Sequence, residues 1–320
     1  MRRSVVMKWT WGGISILGVS LLLSPGACEE PMGRVRFVVS DEGGAPLPAK
    51  VTFLGREGTP SPDFGSSTSA AGSGNIVYST RGSGAVALAP GRYRAVFSRG
   101  IEYGIVERDF EITGEEEVLL EGTLTRVVDT RGYLSGDFHI HAAPSFDSKT
   151  PLEDRIVTLV GEGVEIAVAT DHNQVTDYTP EVERLGVTAW LHPVVGNEIT
   201  TASWGHFNAF PLDPTGERVN PVGLPSDLFA DIHAAPGDEL IQVNHPREPK
   251  MGYFNHGLLD PETMVAAHPA FDPNFDAIEV LNSKELYGLE AGPKARSSVF
   301  HDWMAFLDRG IVYTATGNSD

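Results

Sequence analysis

The stretch Asp137-Phe138-His139-Ile140-His141 holds the residue types best able to do chemistry in this chain. The residues before it read as extended, and along a strand alternate side chains share a face. Asp137, His139 and His141 then line one side, with Phe138 and Ile140 on the other. Two neutral imidazoles one step apart on a rigid strand converge on a point a short distance away. That arrangement suits Zn, Mn or Fe, for which imidazole is a good ligand. The plain alternative for a lone His-x-His is a solvated polar strand face, and the residues downstream weigh against it.

Those downstream residues sit at the ends of apolar runs. Residues 133–141 form the first predicted strand, followed by a helix over 151–161 with Thr150 as N-cap, Pro151 at the first helical position and Glu153-Asp154 in the first turn. An uninterrupted apolar strand over 164–169 ends in Thr170-Asp171-His172-Asn173. A short helix over 180–185 leads to a strand over 189–196 that ends in Asn197-Glu198-Ile199-Thr200. Strands over 238–243, 276–281 and 310–315 end in Asn244-His245-Pro246-Arg247, in Asn282 and in Gly317-Asn318-Ser319-Asp320. A helix over 294–308 buries a stripe of Trp303, Met304, Phe306 and Leu307. Metal-capable groups therefore recur at the carboxyl ends of strands, the face on which parallel α/β barrels and sheets build their sites. His206, in Gly205-His206-Phe207-Asn208, joins the candidates because Trp204 and Phe207 would wall a pocket beside it. His192, ahead of Pro193, reads as structural. His233, His256, His268 and His301 fall in loop or helical stretches.

Residues 32–126 differ. Short β-rich runs over 35–39, 49–54, 75–79, 85–88, 92–97, 105–112 and 117–120 alternate with Gly, Pro and Asp turns. That pattern predicts an antiparallel sandwich. No ligand cluster is present, so a structural or carbohydrate-binding spacer is expected. Residues 98–104 are placed to reach the neighbouring domain.

Composition limits the class. The 320 residues suggest about two domains. With 41% hydrophobic residues, 35 Gly and 22 Pro, the chain is globular and rich in loops. Its 43 acidic against 24 basic residues give a net charge of −19, which disfavours nucleic acid and anionic lipid as partners. The ten histidines crowd into the stretch after residue 138. The single cysteine, Cys28, excludes an intrachain disulfide. Residues 1–28 combine Arg2-Arg3, Lys8, a short apolar core and Ser24-Pro25-Gly26-Ala27-Cys28, which reads as an export signal. Cysteine after Gly-Ala resembles a bacterial lipoprotein site, which would tie the protein to a membrane through lipid on Cys28. Plain secretion and an uncleaved anchor are the alternatives. The expected location is the periplasm or cell envelope.

Taken in order, Asp137-Phe-His139-Ile-His141, Ser145-Phe-Asp147, Asp171-His172, Glu198, His206, His245 and Asp320 resemble the polymerase and histidinol phosphatase (PHP) superfamily of metallohydrolases, and within it the CehA/McbA branch. The likeness spans about residues 130–320. Ala89-Pro90-Gly91-Arg92-Tyr93 resembles a turn of carboxypeptidase-regulatory-like modules. The resemblance implies an α/β fold, a distorted (βα)7 barrel behind an antiparallel β-sandwich, with two or three divalent ions, Zn, Mn or Fe. It implies that His139 and His141 hold the first metal, that Asp147 and His172 add ligands, and that Glu198 bridges two metals. His206 and His245 would hold a further metal, and Asp320 would be the Asp of a terminal Asp-x-His motif. The chain stops at Asp320, so that His and the last barrel unit are expected to lie on a longer protein, the alternative being a truncated form with a damaged site. The implied activity is metal-assisted hydrolysis of a small ester, carbamate or phosphoester. Asp171 is expected to bind metal or to orient His172 and move a proton, and Arg247 either to hold an oxyanion or substrate carboxylate or to form a surface salt bridge. The rival expectation is a non-catalytic envelope binding module. Oligomeric state is left open.

Overall fold

A computed structural model describes residues 32–65, 73–216, 219–282 and 298–320. The export signal and Cys28 lie outside the described residues, as do residues 294–297 of the expected last helix. No described helix is long and apolar enough to cross a membrane.

The first seven strands are β1 (Gly33–Ser40), β2 (Ala49–Arg56), β3 (Ile76–Ser79), β4 (Ser83–Leu88), β5 (Gly91–Ser98), β6 (Val106–Ile112) and β7 (Glu117–Thr123). They form a four-stranded sheet, β3-β2-β5-β6, and a three-stranded sheet, β4-β1-β7. Val35, Phe37 and Val39 of β1 alternate inward and pack with Val51, Phe53 and Phe97 in one apolar core. A Cβ on Gly122 of β7 would sit 2.6 Å from the Phe97 ring, so the sheets touch where glycine leaves space. Tyr93 closes the expected Pro-Gly turn by donating to the Ala89 carbonyl at 2.9 Å. One expectation is corrected here. β1 and β7 pair in parallel, from Arg34 opposite Glu117 to Ser40 opposite Thr123, so the region is not purely antiparallel.

The rest alternates strands and helices: β8 (Gly136–Ile140), α1 (Leu152–Gly161), β9 (Ile166–Ala169), α2 (Thr179–Leu185), β10 (His192–Val195), β11 (Asn197–Thr200), β12 (His206–Phe210), α3 (Pro225–His233), β13 (Leu240–Val243), α4 (Tyr253–His256), β14 (Ala277–Asn282), α5 (Val299–Leu307) and β15 (Thr314–Asn318). Helix α1 is capped by Pro151 without a side-chain bond, one residue later than expected. The sheets are open and of mixed type. β10-β9-β8 is parallel. In β11-β12-β13-β14-β15, only β12 runs against its neighbours. The expected 189–196 strand is shorter and gives way at Gly196 to β11. A Cβ at Gly196 would lie 2.9 Å from the Ala169 carbonyl oxygen and 3.1 Å from that of Ala209. The chain thus passes from pairing with β9 to pairing with β12 where only a bare backbone fits. β15 begins four residues after the expected start. Gly310, at φ 74°, ends α5, and Tyr313 first stacks on Phe275 at 4.3 Å.

Contacts join the two open sheets on both sides. A parallel bridge links His172 to Glu198. Opposite, the Asp320 amide donates to the His139 carbonyl at 2.9 Å, and the Phe138 amide to Asn318 Oδ1 at 3.0 Å. One apolar core, with Phe207, Phe229, Tyr253, Phe254 and Ile278, backs the five-stranded sheet. A second, with Ile140, Ile156, Val160 and Ala167, backs the three-stranded one. The segment 98–104 does reach across: buried Arg99 donates to the carbonyls of Pro48 and Val160 at 2.8 and 2.6 Å.

Candidate metal centre

The strands around the site bring their ligands to one face. β8 carries His139 and is followed by His141, β9 is followed by Asp171-His172, and β11 carries Glu198. β12 runs the other way, so His206 at its start pairs with Thr200 at the end of β11 and meets the same face. β13 is followed by His245 and β15 by Asp320.

These placements close a circuit of imidazoles. Ring centres are 5.0 Å apart for His139 and His141, 4.7 Å for His141 and His172, and 5.2 Å for His172 and His206. They are 5.0 Å apart for His206 and His245 and 5.9 Å for His245 and His139. Glu198, wholly buried, sits among all five. Its Oε1 lies 3.0 Å from His206 Nδ1, 3.3 Å from His139 Nε2 and 3.5 Å from His245 Nε2. Its Oε2 lies 2.8 Å from His172 Nδ1 and 3.4 Å from His141 Nε2. Asp320 Oδ1 adds contacts of 3.1 Å to His141 and 3.3 Å to His139. Asp147 Oδ2 is 3.2 Å from His172 Nε2, at the half-exposed mouth. All eight expected metal residues fall into four overlapping triads whose ligand atoms lie within 4.8 Å of one another.

Electrostatics bind the cluster. Burial alone would push the imidazoles of His139, His172 and His245 down and the carboxyls of Glu198, Glu279 and Asp320 up. The facing opposite charges outweigh it. The histidines are raised, His139 most strongly through Glu198 and Glu279. The carboxyls are lowered, Glu198 well below its ordinary range through His139 and its other imidazole neighbours.

The donors fit a divalent metal. His139 Nε2 and Glu198 Oε2, both within the imidazole circuit, are buried without a hydrogen-bond partner. Buried polar atoms are nearly always paired, so unpaired donors of this kind inside the circuit mark a place for a cation. The donors are imidazole nitrogen and carboxylate oxygen, which serve Zn, Mn and Fe alike. A cleft of about 120 Å³ opens above them, with Glu248, Met251 and Asn282 beside the ligand side chains. Phe146, largely exposed, stacks on His172 with ring centres 4.6 Å apart.

Two expected residues work elsewhere. Arg247 is not aimed into the cluster. Its Nε and Nη2 grip buried Asp302 at 2.7 and 2.9 Å, and its Nη1 donates to the Leu259 carbonyl at 3.1 Å. Its guanidinium fastens the loop after β13 to α5. Asp171 belongs to none of the four triads, and its Oδ1 accepts the Ala142 amide at 2.8 Å instead of orienting His172. The hydroxyl of Thr200 is 2.5 Å from His172 Nδ1 in its place. Asp137 likewise accepts backbone amides, those of His139 and Ser319.

The sequence reading missed the polar packing behind the ligands. Asn244 donates to Glu198 Oε1 at 2.9 Å and to Asn208 Oδ1 at 2.7 Å. Glu279, fully buried on β14, accepts from His139 Nδ1 at 2.9 Å. A lone carboxylate within Ala277-Ile278-Glu279-Val280-Leu281 was the available signal, because an acid inside an apolar strand needs partners.

No family model matches the chain, and no curated protein matches it. One solved structure that it resembles is the Bacillus anthracis TIE protein, at 15% identity and a TM-score of 0.23. That likeness covers 31% of this chain and 17% of the other, too little to inform the fold or the site.

Proposed function

We propose that the chain is a metal-dependent hydrolase acting on a small ester, carbamate or phosphoester. The observation that carries the reading is one buried carboxylate, Glu198, facing five imidazoles that ring it below an open cleft. We read residues 127–320 as a distorted (βα)7 barrel of the PHP type. In support, β10 and β11 follow one another around Gly196, and β8 meets β15 through the His139–Asp320 backbone bond. Residues 32–126 are read as a sandwich module, and residues 1–28 as an export signal with Cys28 as its lipid site.

His139, His141, Glu198 and Asp320 would hold one ion, and Asp147, His172, His206 and His245 would complete the set. Bound there, divalent ions would bring a water's pKa toward ~7 and polarise the scissile carbonyl or phosphoryl group. The chain's own residues supply the rest. Glu198 keeps the imidazole circuit assembled, and Thr200 and Ser145 fix His172, the latter accepting its backbone amide at 3.1 Å. Asp147, at the mouth and hydrogen-bonded to His172 Nε2, is placed to take up a proton beside bound substrate. Among the described residues the cleft is lined by the carboxylates of Asp147, Glu198, Glu248 and Asp320 and by no lysine or arginine. Those carboxylates would repel a dianionic phosphoester more than an uncharged ester, and a carbamate ester is the first substrate to try.

The test is purified protein loaded with Mn²⁺ or Zn²⁺, assayed on naphthyl carbamate and p-nitrophenyl phosphate. Turnover of at least one, abolished by chelation and by Glu198→Gln, is expected. Metal bound with neither substrate turned over sinks the hydrolase reading.

A further inference from the structure

We propose that Glu279 is a positioning residue for the metal centre, selecting the nitrogen His139 offers and holding the main chain of His245. The inference rests on the metal reading above but concerns a residue outside the ligand set. Glu279 lies on β14, is fully buried, and meets no cleft surface.

Four donors converge on its carboxylate, two per oxygen. Oε1 takes His139 Nδ1 at 2.9 Å and Asn318 Nδ2 at 3.0 Å. Oε2 takes the His245 amide at 2.7 Å and Asn282 Nδ2 at 3.1 Å. An ionised carboxylate only accepts, so His139 Nδ1 must carry the proton. The lone pair of a neutral His139 is then on Nε2. That atom has no hydrogen-bond partner and lies 3.3 Å from both Glu198 Oε1 and Asp320 Oδ1. One hydrogen bond thus decides which face of the ring is the ligand.

The second oxygen acts on the backbone. His245 has φ 27°, a left-handed conformation that a residue with a Cβ resists. Its amide is the group Glu279 Oε2 holds, immediately after the buried β13. Without that acceptor the turn relaxes and the imidazole leaves the circuit. Asn318 extends the lock, because its Oδ1 accepts the Phe138 amide and ties β15 to β8. A single carboxylate thereby couples β8, β13, β14 and β15 at the ligand layer.

Glu279→Gln tests this sharply. A glutamine has the same shape, but its amino group must face either His139 and Asn318 or His245 and Asn282. In each orientation two donors confront a donor. Zinc affinity of the full chain would be measured by competition with a chromophoric chelator. Glu279→Gln is expected to bind about 10–100-fold more weakly than wild type. A merely structural role lowers the melting temperature of the metal-free protein and leaves zinc affinity within threefold, which overturns the proposal. Should the variant not fold, the wild type still decides. In the zinc-loaded protein, nitrogen NMR of the assigned His139 ring should show a protonated Nδ1 and a metal-bound Nε2. A metal-bound Nδ1 overturns the proposal. Wild type that binds no zinc overturns the metal reading itself, whereas equal binding by wild type and Glu279→Gln overturns this inference alone.

Discussion

The strands of residues 33–123 and the α/β segment after residue 136 bury opposite things. Among the described residues of the first, Ser79 and Arg99 are the buried polar side chains, and the core is aliphatic and aromatic. Its charges pair on the outside, as Arg94 does with Asp109 and Glu107. Such exposed pairs contribute little. The second region has apolar cores on its outer faces but a polar interior: histidines, carboxylates, Asn208, Gln242 and Asn244. Burying unpaired polar groups is costly, and folding alone does not require it. The first region shows how this chain builds a core where the described residues bury no cluster of titratable groups. The second departs from that pattern along the ligand layer, and the departure locates the site.

The largest effects should be equal in size and opposite in origin. Phe53→Ala removes a fully buried ring that meets Phe64 and Phe110 edge to face. It should cost about 3–5 kcal/mol through the cavity left behind. Asp302→Ala creates little cavity but strands the Arg247 guanidinium, whose side chain is 13% exposed, without its counter-charge. It should also cost about 3–5 kcal/mol. Chemical denaturation measures both. Zinc affinity separates them, since Phe53→Ala should leave it unchanged. If Phe53→Ala weakens zinc binding as much as it weakens the fold, the division between the regions fails.

Metal removal should act on the second region alone. Free metal at 100 times its Kd stabilises by ~2.7 kcal/mol, visible as a higher melting temperature that chelation erases. The pH dependence follows from the shifts. Glu198 is lowered from 4.5, so its contribution to the metal-free protein is full above 4.5 and lost as acid takes the pH down through its depressed value. His139 is raised from 6.5, so its contribution is full below 6.5 and fades as the pH rises through its elevated value. For these groups the metal-free protein is best served between 4.5 and 6.5. Metal needs the imidazoles neutral, so the loaded protein should find its optimum at higher pH, and loading near neutrality should release protons. Calorimetry in buffers of different ionisation enthalpy counts them. Metal uptake without proton release would contradict the charge state drawn for the circuit.

Much of this centre was legible because it sits where local pattern speaks. His139 and His141 share a strand face, and His172, Glu198, His245 and Asp320 follow apolar runs that end abruptly. What escaped was set by non-local pairing. The β11–β12 hairpin is built from two short runs with no clear period, so β12 went unread even though His206 at its start was a candidate ligand. The salt bridge open to Arg247 could not be assigned, because its partner, Asp302, is buried on a helix far along the chain. The parallel pairing of β1 with β7 depends on how the intervening strands are shared between sheets, which alternation along either strand does not encode. Glu279 hid inside a hydrophobic run, its purpose defined by groups from three other segments.

The smallest effect tests the join between the regions. Arg99 is 4% exposed, and its guanidinium donates to two main-chain carbonyls. Burial lowers its pKa, which Tyr103 and the nearby acids Glu165 and Glu102 only partly oppose. Its guanidinium spans the Pro48 carbonyl, just before β2, and the Val160 carbonyl at the end of α1, and it packs over Trp190 at 5.0 Å. α1 also touches the site at its other end, where Arg155 Nε donates to the His141 carbonyl at 2.8 Å. Arg99→Ala leaves two carbonyls without this donor and should cost about 1–3 kcal/mol. Arg99→Met, which keeps most of the volume, separates lost packing from lost hydrogen bonds. Calorimetry should show the regions melting less cooperatively in Arg99→Ala, with zinc affinity unchanged, because the Arg155 bond survives the substitution. If zinc affinity falls in step with the melting temperature, the first region helps hold the site, and its apolar interior serves more than its own stability.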